Sequence, residues 1–252
     1  MCFEPTARPP APPRSGFRAN SERISLNTPD GNVAAACLAT TTEDGGPGVV
    51  ILPDVRGLHP YYEALANEFA QAGVHALAVD LYGRTAGPHF RDEAFDYAPH
   101  RSAANDAGVR ADARAATEHL AGAGCERVFA VGFCFGGRAA FMQASREGIA
   151  GAVGFYGWPA RAEEGGMSPI DEARAGLVRT PVLALYGGAD ENITEEHRSA
   201  YDSALEEAGI DHERVVYPGA PHSFFDRKMT DHADACSDSW RRVLAFMGVP
   251  PS

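Results

Sequence analysis

An α/β domain with a mostly parallel, doubly wound sheet, an antiparallel N-terminal edge and helices on both faces is predicted by three features of the sequence. Short continuous apolar runs such as GVVILP, VHALAVD, RVFAVG and PVLALYG recur along the chain, as expected of parallel strands covered on both sides. Segments of helical periodicity fall between them, and strand, helix, strand order implies right-handed crossovers. Ahead of these runs, two apolar segments flank Pro29-Asp30-Gly31-Asn32, and an Asp-Gly pair between strands signals a hairpin.

Taken in order, the predicted strands are Ile24 to Asn27, Val33 to Ala39, Val49 to Leu52, Val74 to Val79, Val128 to Val131, Ala152 to Phe155, Val182 to Tyr186 and Arg214 to Tyr217. The predicted helices are Pro60 to Ala72, Ala103 to Ala121, Gly136 to Arg146, Glu195 to Ala208 and Ala233 to Met247. Tyr82 to Arg101 and Trp158 to Arg179 are the longest irregular stretches and are expected to wall a pocket. Residues 1–23, rich in proline and arginine, read as a disordered or loosely attached tail, and 24–252 as one domain. A length of 252 residues suits a single α/β domain.

The formal net charge of -12 disfavours nucleic acid or an anionic membrane surface as partner, since the field repels polyanions. An anionic substrate would need a local cation. The five cysteines are odd in number and show no C-x-x-C spacing, which fits a reducing cytoplasm. The N-terminus lacks the apolar core of a secretory signal, and no run approaches membrane-spanning length. Nine histidines are scattered without metal-ligand spacing, and no phosphate-binding glycine motif is present, so neither metal nor other cofactor is expected. The expected assembly is a monomer or homodimer.

In doubly wound sheets, ligands bind beyond the carboxyl ends of the strands. There the sequence places Asp54, Asp80 with Tyr82 and Arg84, Cys134, Tyr156 with Trp158, Asp190, and His222 with Phe224. The stretch VGFCFGGR runs from a strand through G-x-C-x-G-G into a helix, the form of a nucleophile elbow with Cys134 in the usual serine place. Gly132 and Gly136 allow the close approach of strand and helix. The helix N-terminus favours a thiolate, and the Phe135 N–H is placed to bind an oxyanion. Taken alone, Cys134 could equally be a small buried apolar residue. Asp190 could cap the following helix, and His222 could be an ordinary loop histidine. Their chain order, nucleophile, acid, histidine, is that of the α/β-hydrolase fold. It gives each a role: Cys134 attacks a carbonyl, His222 moves the protons and Asp190 holds the imidazole tautomer.

On the stretches VVILPDVRGL, ALAVDLYGR, VFAVGFCFGGRAAF, AVGFYG, VLALYGGADENIT and YPGAPHSFFDR, the chain resembles the dienelactone hydrolase family of cysteine-dependent α/β-hydrolases. The resemblance implies a resting thiol that substrate binding activates with help from an acidic residue after the third strand. The family's residue is usually Glu, and Asp54 stands at the matching position. It implies Val55 N–H as the second oxyanion donor and Arg84 as the residue that binds a substrate carboxylate. A second family arginine is matched by Asp226, with Arg227 one residue later. Tyr82, Phe133, Tyr156, Trp158 and Phe224 are the aromatic candidates for the pocket. The expected function is hydrolysis of a lactone or small ester through a thioester acyl-enzyme, with a broad carboxylesterase or a non-catalytic ligand-binding domain as the alternatives. A class I glutamine amidotransferase fits less well, because Ser223 and Phe224 follow His222 where that class has Glu two residues on.

Overall fold

The computed structural model describes residues 7–42, 45–163, 165–225 and 230–250. Among them, eight strands form one sheet: β1 (Ala19–Asn27), β2 (Val33–Thr41), β3 (Gly48–Leu52), β4 (His75–Val79), β5 (Val128–Phe133), β6 (Gly151–Phe155), β7 (Val182–Gly187) and β8 (His212–Tyr217). The helices are α1 (Pro60–Gln71), α2 (Gly83–Ala86), α3 (Ala98–Ala103), α4 (Asp106–Gly122), α5 (Phe135–Gln143), α6 (Pro169–Arg174), α7 (Glu195–Glu207) and α8 (Ala233–Phe246). The strand order is β1-β2-β4-β3-β5-β6-β7-β8. Pairings β1–β2 and β2–β4 are antiparallel, and those from β4 to β8 are parallel.

Side-chain alternation along the central strands builds two cores. In β3, Val49 and Ile51 join one apolar cluster with Tyr61, Leu65 and Phe69 of α1 and Trp240 of α8. Val50 and Leu52 join the other, with Val109, Ala113 and Leu120 of α4. Both faces being covered explains why these strands read as unbroken apolar runs. No helix among the described residues is long and apolar enough to cross a membrane.

The structure departs from the expected elements at two places. β1 begins at Ala19, inside the stretch expected as a tail, and pairs residue by residue from Ala19↔Thr41 to Asn27↔Val33. It is an edge strand, largely exposed, so its first half, ANSER, is polar and carries no apolar signal. Before it, Pro9 and Pro12 are buried, and the Trp240 Nε1–H donates to the Pro10 carbonyl at 2.7 Å. This segment thus meets α8 at Pro10 and the end of α1 at Phe17, whose N–H donates to the Gln71 carbonyl at 3.3 Å. The second departure is the three short helices α2, α3 and α6, which interrupt the stretches expected to be irregular. For α6, Ser168 supplies the N-cap, Asp171 closes the capping box and Pro169 occupies the first turn.

Candidate active site

Cys134 sits between the end of β5 and the start of α5 with φ 54° and ψ -110°, a conformation costly for a residue with a Cβ. Its N–H donates to the Phe155 carbonyl at 3.0 Å, and its own carbonyl accepts the Arg138 N–H at 3.1 Å. The turn depends on close backbone approach. A Cβ on Gly132 would lie 1.9 Å from the Gly136 carbonyl oxygen, and one on Gly136 would lie 2.0 Å from that of Leu52. Phe135 is the first residue of α5, so its N–H belongs to the turn that has no intrahelical acceptor.

Asp190 and His222 meet each other from the ends of the neighbouring strands β7 and β8, and His222 shares a cavity with Cys134. The Asp190 loop follows β7 and lies against the loop after β8: the Gly188 N–H donates to Tyr217 O and the Ala189 N–H to Ala220 O. A Cβ on Gly187 would lie 2.3 Å from that Ala220 oxygen. Asp190 Oδ1 accepts the N–H groups of Asn192 at 2.9 Å and Ile193 at 3.3 Å, while Oδ2 accepts from His222 Nδ1 at 2.7 Å. The Cys134 side chain also acts on the imidazole and helps to raise its pKa, and with Nδ1 engaged by Asp190, Nε2 is the nitrogen left to face the sulfur.

Electrostatics follow from this chain of contacts. Burial acts to lower the His222 pKa, but hydrogen bonding to Asp190 and to the Cys134 side chain, with their charges, outweighs it and raises the pKa to about 10. Burial likewise acts against the Asp190 carboxylate, and the His222 bond and charge with the two loop N–H groups hold its pKa below the usual value. The arrangement favours a charged imidazolium beside the sulfur.

These side chains open onto a cavity of about 210 Å³ lined by Val55, Arg101, Cys134, Phe135, Arg138, Tyr156, Trp158, Arg161, Asn192, Ile193 and His222. Tyr156, at φ 39°, places its ring 4.9 Å from that of His222. Arg101 bonds Glu163 at 2.6 Å and lies 4.1 Å over the Phe135 ring. Arg138 is held by Asp106 at 2.7 and 3.0 Å. Arg161 is 3.5 Å from Glu163. Asp54, the residue before Val55, is fully buried, its N–H donating to the Tyr62 hydroxyl and its Oδ1 accepting the Arg56 N–H at 2.8 Å.

Several expected pocket residues stand elsewhere. Phe133 and Phe224 are buried in the core: Phe133 stacks on Phe155 at 4.7 Å, and Phe224 meets Tyr217 at 5.1 Å. Tyr82 is buried behind the cavity wall, its hydroxyl bound to Val55. Asp226 and Arg227 lie outside the described residues. Arg84 does not line the cavity. Its guanidinium bonds Asp30 at 2.8 and 2.9 Å and Asp112 at 2.6 Å, because the hairpin turn and α4 both bring a carboxylate to it. Arg101, Arg138 and Arg161 line the cavity in its stead. Arg101 and Arg161 fall within the two stretches read as pocket walls, and no local pattern marked the individual side chains.

The Arg84 contacts carry a prediction about stability. Asp112 is fully buried; burial raises its pKa to about 6 while Arg84 opposes that rise. Arg84→Ala should cost about 3 kcal/mol at pH 8, as loss of one partner strands a buried charge. Without Arg84 the folded-state pKa of Asp112 rises further, so this extra cost falls away as the pH drops below about 6, where the carboxyl is protonated with or without its partner. Denaturant titrations at pH 5 and pH 8 measure the difference, and kcat/KM ratios between carboxylated and neutral esters should stay unchanged.

An eight-stranded sheet with a cysteine elbow, an Asp–His pair on later strand ends and a small cavity above them defines a hydrolase of the α/β-hydrolase fold. The model of the dienelactone hydrolase family matches residues 34–249, and the chain belongs to that family, whose members hydrolyse carboxylic esters and lactones. A Yersinia pestis protein named "Putative carboxymethylenebutenolidase" is 30% identical over 211 residues, covering 79% of this chain and 76% of the relative. A protein of the same name from Salmonella typhimurium is 28% identical over 270 residues, covering 97% and 94%. The crystal structure of a "Putative Dienelactone Hydrolase" from Klebsiella pneumoniae superposes with a TM-score of 0.80 at 27% identity, covering 92% of this chain and 99% of that one.

Proposed function

We propose that the chain opens a lactone or cleaves a small carboxylic ester through Cys134, His222 and Asp190 by way of a thioester. The observation that carries this reading is the Asp190–His222 bond of 2.7 Å, which commits Nδ1 and turns the rest of the imidazole to the Cys134 sulfur. The thiolate attacks the carbonyl carbon, and the oxyanion is met by the N–H groups of Phe135 and Val55. As the intermediate collapses, the carbon–oxygen bond breaks and the His222 imidazolium protonates the departing alkoxide, which in a lactone stays tethered to the acyl chain. Neutral His222 then takes a proton from water, hydroxide attacks the thioester, and Cys134 leaves as thiolate beside a re-formed imidazolium. Asp54, next to the Val55 donor, is the residue to which the family resemblance assigns help in converting the Cys134 thiol to this thiolate.

The cavity walls favour a compact acyl group packed on Val55, Phe135, Tyr156, Trp158 and Ile193. A reducing cytoplasm suits this chemistry, since the four described cysteines are free thiols. The direct test is mass spectrometry after rapid mixing with a slowly turned-over aryl ester. One acyl group should appear on the Cys134 peptide, and an adduct on any other residue overturns the reading.

The pH profile supplies an independent check. With the His222 pKa raised to about 10, the acid that protonates the leaving group is present below that pH and lost above it. Activity should therefore hold through neutral pH and decline as pH passes through 10. Asp190→Asn removes the charge and bond that raise the pKa, so its alkaline limb should move to lower pH as kcat falls. A limb that stays in place would show that Asp190 does not act through His222.

A further inference from the structure

We propose that Tyr82 is the positioning residue of the oxyanion hole, holding both donor residues, Val55 and Phe135, in place. The inference rests on the hydrolase site described above and adds a residue to it. Tyr82 makes one contact with each donor. Its hydroxyl donates to the Val55 carbonyl at 2.8 Å, and its ring lies parallel to that of Phe135, 2° between planes and 6.3 Å between centroids. The two donors come from different parts of the chain, the loop after β3 and the first turn of α5, and Tyr82 touches both.

The grip on Val55 complements ties on either side of it. Asp54 is held at its N–H by Tyr62. Leu58 is held at its N–H by Asp80 Oδ1, at 3.1 Å. Between them, the Tyr82 bond to the Val55 carbonyl restrains the torsions around Val55 and so the direction of its N–H. Tyr82 is itself fixed, since its N–H donates to Asp80 Oδ2 at 3.0 Å. Asp80 is in turn clamped by Arg91 through contacts of 3.1 and 2.6 Å. The ring is 1% exposed, so the hydroxyl serves the loop rather than the substrate. Burial, the largest influence, pushes its pKa far up, which keeps the hydroxyl protonated as a donor at any working pH.

A hole works because its donors are already aimed where charge develops, and outright loss of one donor costs about 10²- to 10³-fold in kcat. Loosening one donor should cost less. Tyr82→Phe keeps the ring and removes the hydroxyl, so kcat on a neutral aryl ester should fall about tenfold with KM within about twofold. A trifluoromethyl ketone, whose carbonyl carbon bonds the Cys134 sulfur while the carbonyl electron pair moves to oxygen, should bind weaker by the same factor. Alkylation of Cys134 by iodoacetamide forms the sulfur–carbon bond and expels iodide without creating an oxyanion, so its rate should be unchanged. Tyr82→Leu, which also removes the ring above Phe135, should lose more kcat than Tyr82→Phe. An unchanged kcat, a raised KM at constant kcat, or an equal slowing of alkylation overturns the proposal. If Cys134→Ala hydrolyses the same ester as fast as the wild type, the site reading itself fails and the proposal falls with it, a result that does not depend on Tyr82.

Discussion

Replacing Cys134 by alanine is expected to lower kcat/KM for small activated esters and lactones by at least about 10⁴-fold, the scale on which loss of a nucleophile removes acyl-enzyme chemistry. The protein should stay folded. Alanine retains the Cβ, so the backbone conformation at φ 54° costs the variant what it costs the native chain. The sulfur is only partly buried and faces a cavity, so its removal leaves no sealed void, and the stability change should stay within about 1 kcal/mol. Kinetics on one activated ester beside a thermal melt separate the two effects. Hydrolysis retained by a folded variant would remove the nucleophile assignment.

Gly136→Ala should act on the fold itself. Its Cβ would stand 2.0 Å from Leu52 O and 2.4 Å from Pro53 O, both backbone atoms that no rotamer change can move. To relieve the clash, α5 must lift from the sheet or the end of β3 must shift. Either movement breaks central packing, and the expected cost is about 4 kcal/mol or more, the range reserved for such mechanisms. Any molecules that fold would also carry a displaced loop at Asp54 and Val55, so activity should fall further than the folded fraction does. Gly122→Ala is the matched control, because nothing lies within 4 Å of its Cβ position at the end of α4. It should be neutral or stabilising by up to about 1 kcal/mol. Equal melting temperatures for the two variants would refute the steric account of the elbow.

The places where the sequence was legible share a physical cause. Val49 to Leu52 and Val128 to Val131 announce themselves because both faces of the sheet are covered, and the ends of such strands predict which loops meet. Convergence of Cys134, Asp190 and His222 at one sheet edge followed from that rule alone. Ion pairs obey no such rule. Arg84 is captured by Asp30 and Asp112, 54 and 28 residues away, and Arg101 is brought against Glu163, 62 residues on. Nothing local distinguishes a captured arginine from one facing a cavity. Tyr82 is a related case: an aromatic at a strand end reads as pocket lining, and only the Val55 carbonyl 27 residues back reveals that its hydroxyl is already engaged.

The polar first strand has a consequence for solubility. β2 is an almost continuous apolar strand, VAAACLATT, and as the margin of the sheet it would offer an adhesive template to other chains. β1 covers that margin with exposed residues such as Glu22, Arg23 and Ser25, and Arg23 is tied to Glu63 at 2.8 Å. Charged, exposed edge strands discourage further strand addition. The first half of β1, which reads as part of a loose tail in the sequence, thus shields the apolar margin of β2 with polar and charged side chains.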